Sequence, residues 1–181
     1  MRSKPSPLSL EDLIALGRNR WALALLADLA AHGGARFVEL VHRLALPRDS
    51  LVRTLESACA AGWVTRNPGH GHPLRPEYLL TVEGQRLARG ALAIATTQAE
   101  LGLAPGALTR WGMPLVRAIG PGEARFNELT KALAPATPRA ISQGLQSLAA
   151  NDLVAREVVD GWPPASLYRL TAHGRLLARV A

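Results

Sequence analysis

The chain holds a single cysteine, Cys59, and only 4% aromatic residues. One cysteine excludes an intramolecular disulfide and any zinc site built from several thiolates. With so few aromatics, the interior has to be assembled from Leu, Ala and Val. Leu and Ala are strong helix formers, whereas sheet-rich domains lean on β-branched and aromatic side chains, so helices should dominate. Lysine is almost missing too: Lys4 and Lys131 stand among 21 basic residues, and arginine supplies the rest. No apolar run reaches the roughly 20 residues that a bilayer span needs. The opening Met1-Arg-Ser-Lys-Pro-Ser-Pro7 leads into a segment carrying Glu11 and Asp12, unlike the unbroken apolar core of a signal peptide. The expected compartment is the cytoplasm. No nucleophile–base pair, phosphate-cradling glycine loop or paired-carboxylate pattern occurs, so neither an enzyme nor a cofactor is expected. His70-Gly-His72 could supply half a metal site, but it has no acidic or thiol neighbour and reads better as a polar loop tip.

What is present is globular. Of 181 residues, 48% are apolar, enough for one ordinary core or two modest ones. The formal charge of +7 draws the protein to polyanions, either nucleic acid or an anionic surface.

An internal repeat decides between one core and two. Sliding the chain against itself by 90 positions sets Arg20-Trp21 on Arg110-Trp111 and Leu25 on Leu115. With one residue of slack, Arg36-Phe37 falls on Arg125-Phe126, Glu39-Leu40 on Glu128-Leu129 and Leu44 on Leu133. The slack then closes, so that Leu55 meets Leu145, Val64 meets Val154 and Arg66 meets Arg156. Tyr78-x-Leu80-Thr81-x-x-Gly84 finally repeats as Tyr168-x-Leu170-Thr171-x-x-Gly174. Solenoid arrays use shorter periods and at least three copies, so two copies at this spacing mean a duplicated domain. Gly102-Leu-Ala-Pro105-Gly106 reads as the linker, which sets the domains at 8–101 and 106–181.

Each copy has the same local order. Ser9 with Asp12 three residues on starts a short helix by a capping box, and Trp21 to Ala31 reads as a central buried helix closed by Gly33-Gly34. Phe37, Leu40, Val41 and Leu44 recur at helical spacing. A second amphipathic helix follows over 48–61, with Leu51, Leu55 and Ala58 or Cys59 inward and Gly62 at its end. Two short helices joined by a tight turn are the skeleton of a helix-turn-helix. Trp63–Arg66 and Tyr78–Leu80 then read as the strands of a wing around a Gly/Pro/His-rich loop, and Thr81 caps a further helix. In the second copy Thr137-Pro138 is an N-cap followed by proline at the first helical position, opening a helix over 138–150. Leu153–Val158 and Leu167–Leu170 give its wing. The fold class expected is mainly α with small β-wings: two tandem winged helix-turn-helix domains forming an intramolecular pseudo-dimer.

The second copy carries Arg125-Phe-Asn-Glu-Leu129, Ile141-Ser-Gln-Gly-Leu145, Leu153-Val-Ala-Arg156, Pro163-Pro164 and Tyr168-Arg-Leu-Thr-Ala-His-Gly174. This ordered series resembles the HxlR-type branch of the MarR-like winged-helix transcription regulators. The first copy fits less closely, although Leu13-Ile-Ala-Leu-Gly-Arg-Asn-Arg-Trp21 is similar to the family's opening helix and basic-Trp junction. The cysteine that usually precedes the first helix is absent, and Gly144 stands where the family often has a basic residue. Family members typically carry one such domain and dimerise, so the resemblance implies that the covalent pair replaces or supplements the homodimer.

The resemblance implies a sequence-specific regulator of double-stranded DNA, expected to be a repressor and to act as a monomer with an internal pseudo-two-fold, further dimerisation left open. A small-molecule effector is compatible with that role, and no residue names one. In a winged helix, the exposed face of the second helix enters the major groove while wings and helix ends hold phosphates. The expected contacts in the first copy are Arg48, Ser50, Arg53 and Thr54, with Arg66 and Arg75 from its wing beside His70 and His72. In the second copy they are Arg139, Ser142, Gln143 and Gln146, with Arg156 and Arg169 from the wing. Asp49 is expected to serve the helix dipole instead. Because the two faces differ, the operator is expected to be asymmetric, with half-sites about 10 bp apart. The alternative is a tandem winged-helix assembly or replication-initiator module acting mainly through protein contacts.

Overall fold

The structure is a computed structural model describing residues 8–67, 76–104, 107–159 and 165–180. Among the described residues there are nine helices and six short strands, and the chain divides into two compact units. Unit 1 holds Leu8 and Asn19–Thr96; unit 2 holds Ser9–Arg18 and the described residues from Thr97 onward. The division departs from the repeat at two places: the first helix belongs with the second copy, and so do the residues from Thr97 to Leu101 that the repeat assigns to the first domain.

In unit 1, α2 (Ala22–His32) is the central helix. Its apolar residues face every direction, so Leu25, Leu26 and Leu29 are completely buried. Gly33 ends it at φ 74°, a left-handed conformation that glycine adopts without a Cβ penalty. The two-residue strand β1 (Ala35–Arg36) leads into α3 (Phe37–Leu44), and α4 (Arg48–Ala60) follows after a three-residue turn. Strands β2 (Val64–Asn67) and β3 (Glu77–Leu80) complete an antiparallel sheet ordered β1-β3-β2, and α5 (Val82–Glu100) begins directly after it. Leu40 on α3 and Leu51 on α4 are wholly buried. Each such leucine contributes about 1.5–3 kcal/mol relative to an exposed one.

Unit 2 repeats this order with α6 (Gly112–Ile119), β4 (Glu123–Arg125), α7 (Phe126–Ala132), α8 (Pro138–Ala150), β5 (Val154–Val159), β6 (Ala165–Leu170) and α9 (Ala172–Val180). Its sheet is ordered β4-β6-β5. It also takes in α1 (Leu10–Gly17), which packs on α6 through buried Leu13 and Leu16. The capping box expected at Ser9 is present, with the Ser9 N–H donating to Asp12 Oδ2 at 2.9 Å and the Asp12 N–H to Ser9 Oγ at 3.1 Å. Gly17 lies so close to the Arg110 carbonyl that a methyl group would overlap it.

The repeated motifs have physical reasons. In Arg-Phe-x-Glu-Leu the glutamate turns back on the helix start: the Arg36 N–H donates to Glu39 and the Arg125 N–H to Glu128, both at 2.7 Å. In Leu-Thr-x-x-Gly the threonine joins helix to sheet. Thr81 Oγ1 donates to the Gly62 carbonyl at 2.6 Å and accepts from the Gly84 N–H at 3.0 Å. Thr171 does the same with the Asp152 carbonyl at 2.6 Å and the Gly174 N–H at 3.1 Å. The glycine is required because Gly84 and Gly174 press against the carbonyls of Trp63 and Leu153, leaving no room for a Cβ.

The third strand of each sheet was not expected from sequence. β1 and β4 are two and three residues long, too short to show alternation, and they exist through pairing with β3 and β6.

Candidate nucleic-acid interface

Helix α4 buries Leu51, Thr54, Leu55 and Ala58 and leaves Asp49, Val52, Arg53 and Glu56 exposed. The exposed set follows i, i+3, i+4, i+7 spacing and therefore forms one outward stripe. Helix α8 buries Ile141, Gly144, Leu145 and Leu148. Its outward stripe is Arg139, Ser142, Gln143 and Gln146, with Ser142 partly covered. At the 90-residue offset the stripes correspond position by position: Asp49 to Arg139, Val52 to Ser142, Arg53 to Gln143 and Glu56 to Gln146.

The four residues expected on α8 thus share one face. On α4 the expectation needs correction. Thr54 is 1% exposed, and its hydroxyl donates to the Ser50 carbonyl at 2.7 Å and lies 3.2 Å from Asn19 Oδ1. Polarity suggested exposure, but the helical register turns Thr54 inward. Ser50 is half-buried at the edge of the stripe. Arg48 is exposed and stacks its guanidinium 5.6 Å from the Phe37 ring. Val52, Glu56 and Asp49 are the outward residues that residue type alone did not select. The repeat offset, applied to the α8 set, would have found all three. Gly144 likewise faces inward: a Cβ there would come within 2.6 Å of Leu115 Cδ1, so in this chain the position has no room for a basic side chain.

In unit 2 the angle between α8 and the wing encloses a cleft of about 300 Å³. Ser142, Gln146, Arg156 and Tyr168 give it polar edges, and Leu145, Ala149 and Val154 form an apolar floor. Arg156 is held in place by Ser166, whose Oγ accepts from its Nε and Nη2 at 3.1 and 2.9 Å. Arg169 is engaged differently. Its guanidinium pairs with Glu123 at 2.6 Å and with Glu157 at 3.1 Å, across three strands. The hydrogen bond to Glu123, and then the charges of Glu123 and Glu157, tighten its hold on the proton. A phosphate would have to compete with two carboxylates for this side chain. Arg66 is exposed on β2, while Arg75, His70 and His72 lie outside the described residues.

Cys59 sits half-buried on α4, and burial pushes its thiol above the ordinary range, partly opposed by the charge of Arg66. Trp21 and Trp111 occupy equivalent positions just before α2 and α6, each with the preceding arginine over its ring at 5.1 and 5.3 Å. No described helix is long and apolar enough to cross a membrane, and no group of metal-ligating side chains occurs among the described residues.

The sequence matches the HxlR-like helix-turn-helix family twice, over residues 16–99 and again over 108–181. The chain belongs to the HxlR-like family. It carries that family's helix-turn-helix domain in duplicate, in a mainly helical fold with small antiparallel wings. HxlR-like proteins are DNA-binding transcription regulators and not enzymes, which gives the paired stripes on α4 and α8 their context. Among solved structures, a MarR-family transcriptional regulator of Porphyromonas gingivalis W83 is similar at 17% identity and a TM-score of 0.40, covering 48% of this chain and 79% of that one. A MarR-family regulator of Enterococcus faecalis V583 is similar at 27% identity and a TM-score of 0.39, covering 48% and 73%. No curated protein sequence matches the chain.

Proposed function

We propose that this HxlR-like protein is a sequence-specific repressor whose two units read unlike half-sites of an asymmetric operator. The observation that supports this is the pair of outward stripes in the same register with different chemistry. On α8, Gln143 and Gln146 suit adenine through paired donor and acceptor groups, and Arg139 suits guanine. On α4, one arginine stands with two carboxylates and a valine. Two identical readers in a homodimer require a palindrome; this chain does not. Arg48, Arg53, Arg66 and Arg156 supply the positive charge for phosphates, with Ser50 and Ser142 at the groove edges. The domains that act are proposed as 8–101 and 106–181, with the first helix serving unit 2. The site of action is the bacterial nucleoid in the cytoplasm, and the binding species is the monomer.

The experiment is a gel shift and footprint on the promoter of its own gene at several salt concentrations, with sedimentation of the complex. A footprint of two dissimilar half-sites, salt-dependent and lost on competition with that duplex alone, is the expected result. Q143A should weaken binding by roughly 5- to 150-fold, the range for one bidentate base contact. A perfect palindrome, or binding without sequence preference, would count against the proposal.

A further inference from the structure

We infer that α4 reads a thymine through its C5 methyl group, with Val52 as the reading residue. The inference rests on the DNA-binding reading above and names what unit 1 recognises.

Val52 is 40% exposed, although the neighbouring Leu51 is completely buried. A lone exposed valine is unremarkable on most surfaces. Here three observations separate it from that background. It lies in the middle of the outward stripe, between Asp49 on one side and Arg53 and Glu56 on the other. It occupies the register of Ser142, a polar residue in the duplicated copy. A β-branched residue is also a weaker helix former than the alternatives at an exposed position. In the major groove, the one apolar feature of the base edges is the thymine methyl, which is matched by small apolar side chains.

The flanking acids argue against the bland alternative, in which α4 only tracks the backbone. Asp49 and Glu56 would both be repelled by phosphates. A carboxylate is tolerated against base edges where it accepts from an amino group, as cytosine offers, and it is repelled by the acceptor edge of guanine. Glu56 lies one turn, about 6 Å, after Val52 on the same stripe, so the two side chains face base pairs within about two steps of each other. Unit 1 therefore selects a thymine with a cytosine within about two steps of it, through contacts quite unlike the amide pairs of α8.

The test uses the full chain and a duplex selected by it from a random pool. Each thymine of that duplex is replaced singly by uracil, which removes the methyl and leaves the pairing edge unchanged. Wild type should lose affinity about fourfold at one position in the half-site covered by unit 1, the loss expected from one methyl group's burial. Val52→Ser should bind the thymine duplex about fourfold more weakly and no longer distinguish thymine from uracil there. Because Val52 is outside the core, a circular-dichroism melt matching wild type is expected for this variant. Specific, salt-dependent binding with no uracil effect at any position would overturn the Val52 assignment and leave the regulator reading standing. Discrimination that survives V52S would also overturn it. Failure to select any preferred duplex would overturn both.

Discussion

Replacing Gly174 with alanine should destabilise unit 2 by about 3 kcal/mol, although alanine is the better helix former. The favourable side is the helix-propensity gain of up to about 1 kcal/mol. Against it stands the overlap of the new methyl with the Leu153 carbonyl, which is backbone and has no alternative rotamer. Overpacking of this kind costs about 2 kcal/mol. The first turn of α9 can retreat only part of the way, so overlap remains while Thr171 also loses its bonds to the Asp152 carbonyl and the Gly174 N–H. Two bonds at about 1 kcal/mol each bring the net to about 3 kcal/mol. Gly84→Ala poses the same problem against the Trp63 carbonyl in unit 1 and should behave alike. The assay is urea unfolding of the full chain, followed by circular dichroism. With a slope near 2 kcal/mol per molar, the midpoint for the host unit should fall by about 1.5 M. If either variant matched or exceeded wild type, propensity would outweigh the backbone overlap and the account of the Leu-Thr-x-x-Gly motif would fail.

Three further outcomes follow from named contacts. Arg43 grips Asp28 with Nη2 at 2.7 Å and Nε at 2.9 Å, and the Asp28 side chain is 9% exposed. A double-mutant cycle of D28A and R43A should give a coupling of about 1 kcal/mol, discounted because Arg43 is still a quarter exposed; a coupling of zero would mean that α2 and α3 do not depend on this pair. Thr137→Ala removes the hydroxyl that accepts from the Ala140 N–H at 3.2 Å and should cost about 1 kcal/mol in the same urea assay. Alkylation of Cys59 by iodoacetamide should be slower than that of a free thiol at neutral pH and rise as pH passes above the ordinary thiol range, since burial disfavours the thiolate. Removing Arg66 should slow it further, because the cation lowers the thiol's pKa.

The helices were legible in sequence because their signals are local. Ser9 with Asp12, Thr137 with Pro138, and Gly33 announce helix ends within a few residues, and all three behave as read. The duplication was legible because its matches hold register over the whole unit. Residue type misled where register would not have. Thr54 looked like a DNA contact and lies inside, while Val52, not singled out in the sequence, lies outside. The clamp on Arg169 was not readable either, since Glu123 reaches it from 46 positions away across a strand pairing.

The placement of α1 has a consequence for how the chain comes into being. Its residues leave the ribosome well before those of its docking partner α6, which begins at Gly112, about a hundred positions later. At translation rates of 5–20 residues per second, α1 waits roughly 5–20 s with its apolar side unoccupied while the residues of unit 1 are made. The same arrangement means that no single cut leaves each unit on its own fragment: a protease acting between Leu103 and Ala107 would leave α1 on one fragment and its packing partner α6 on the other.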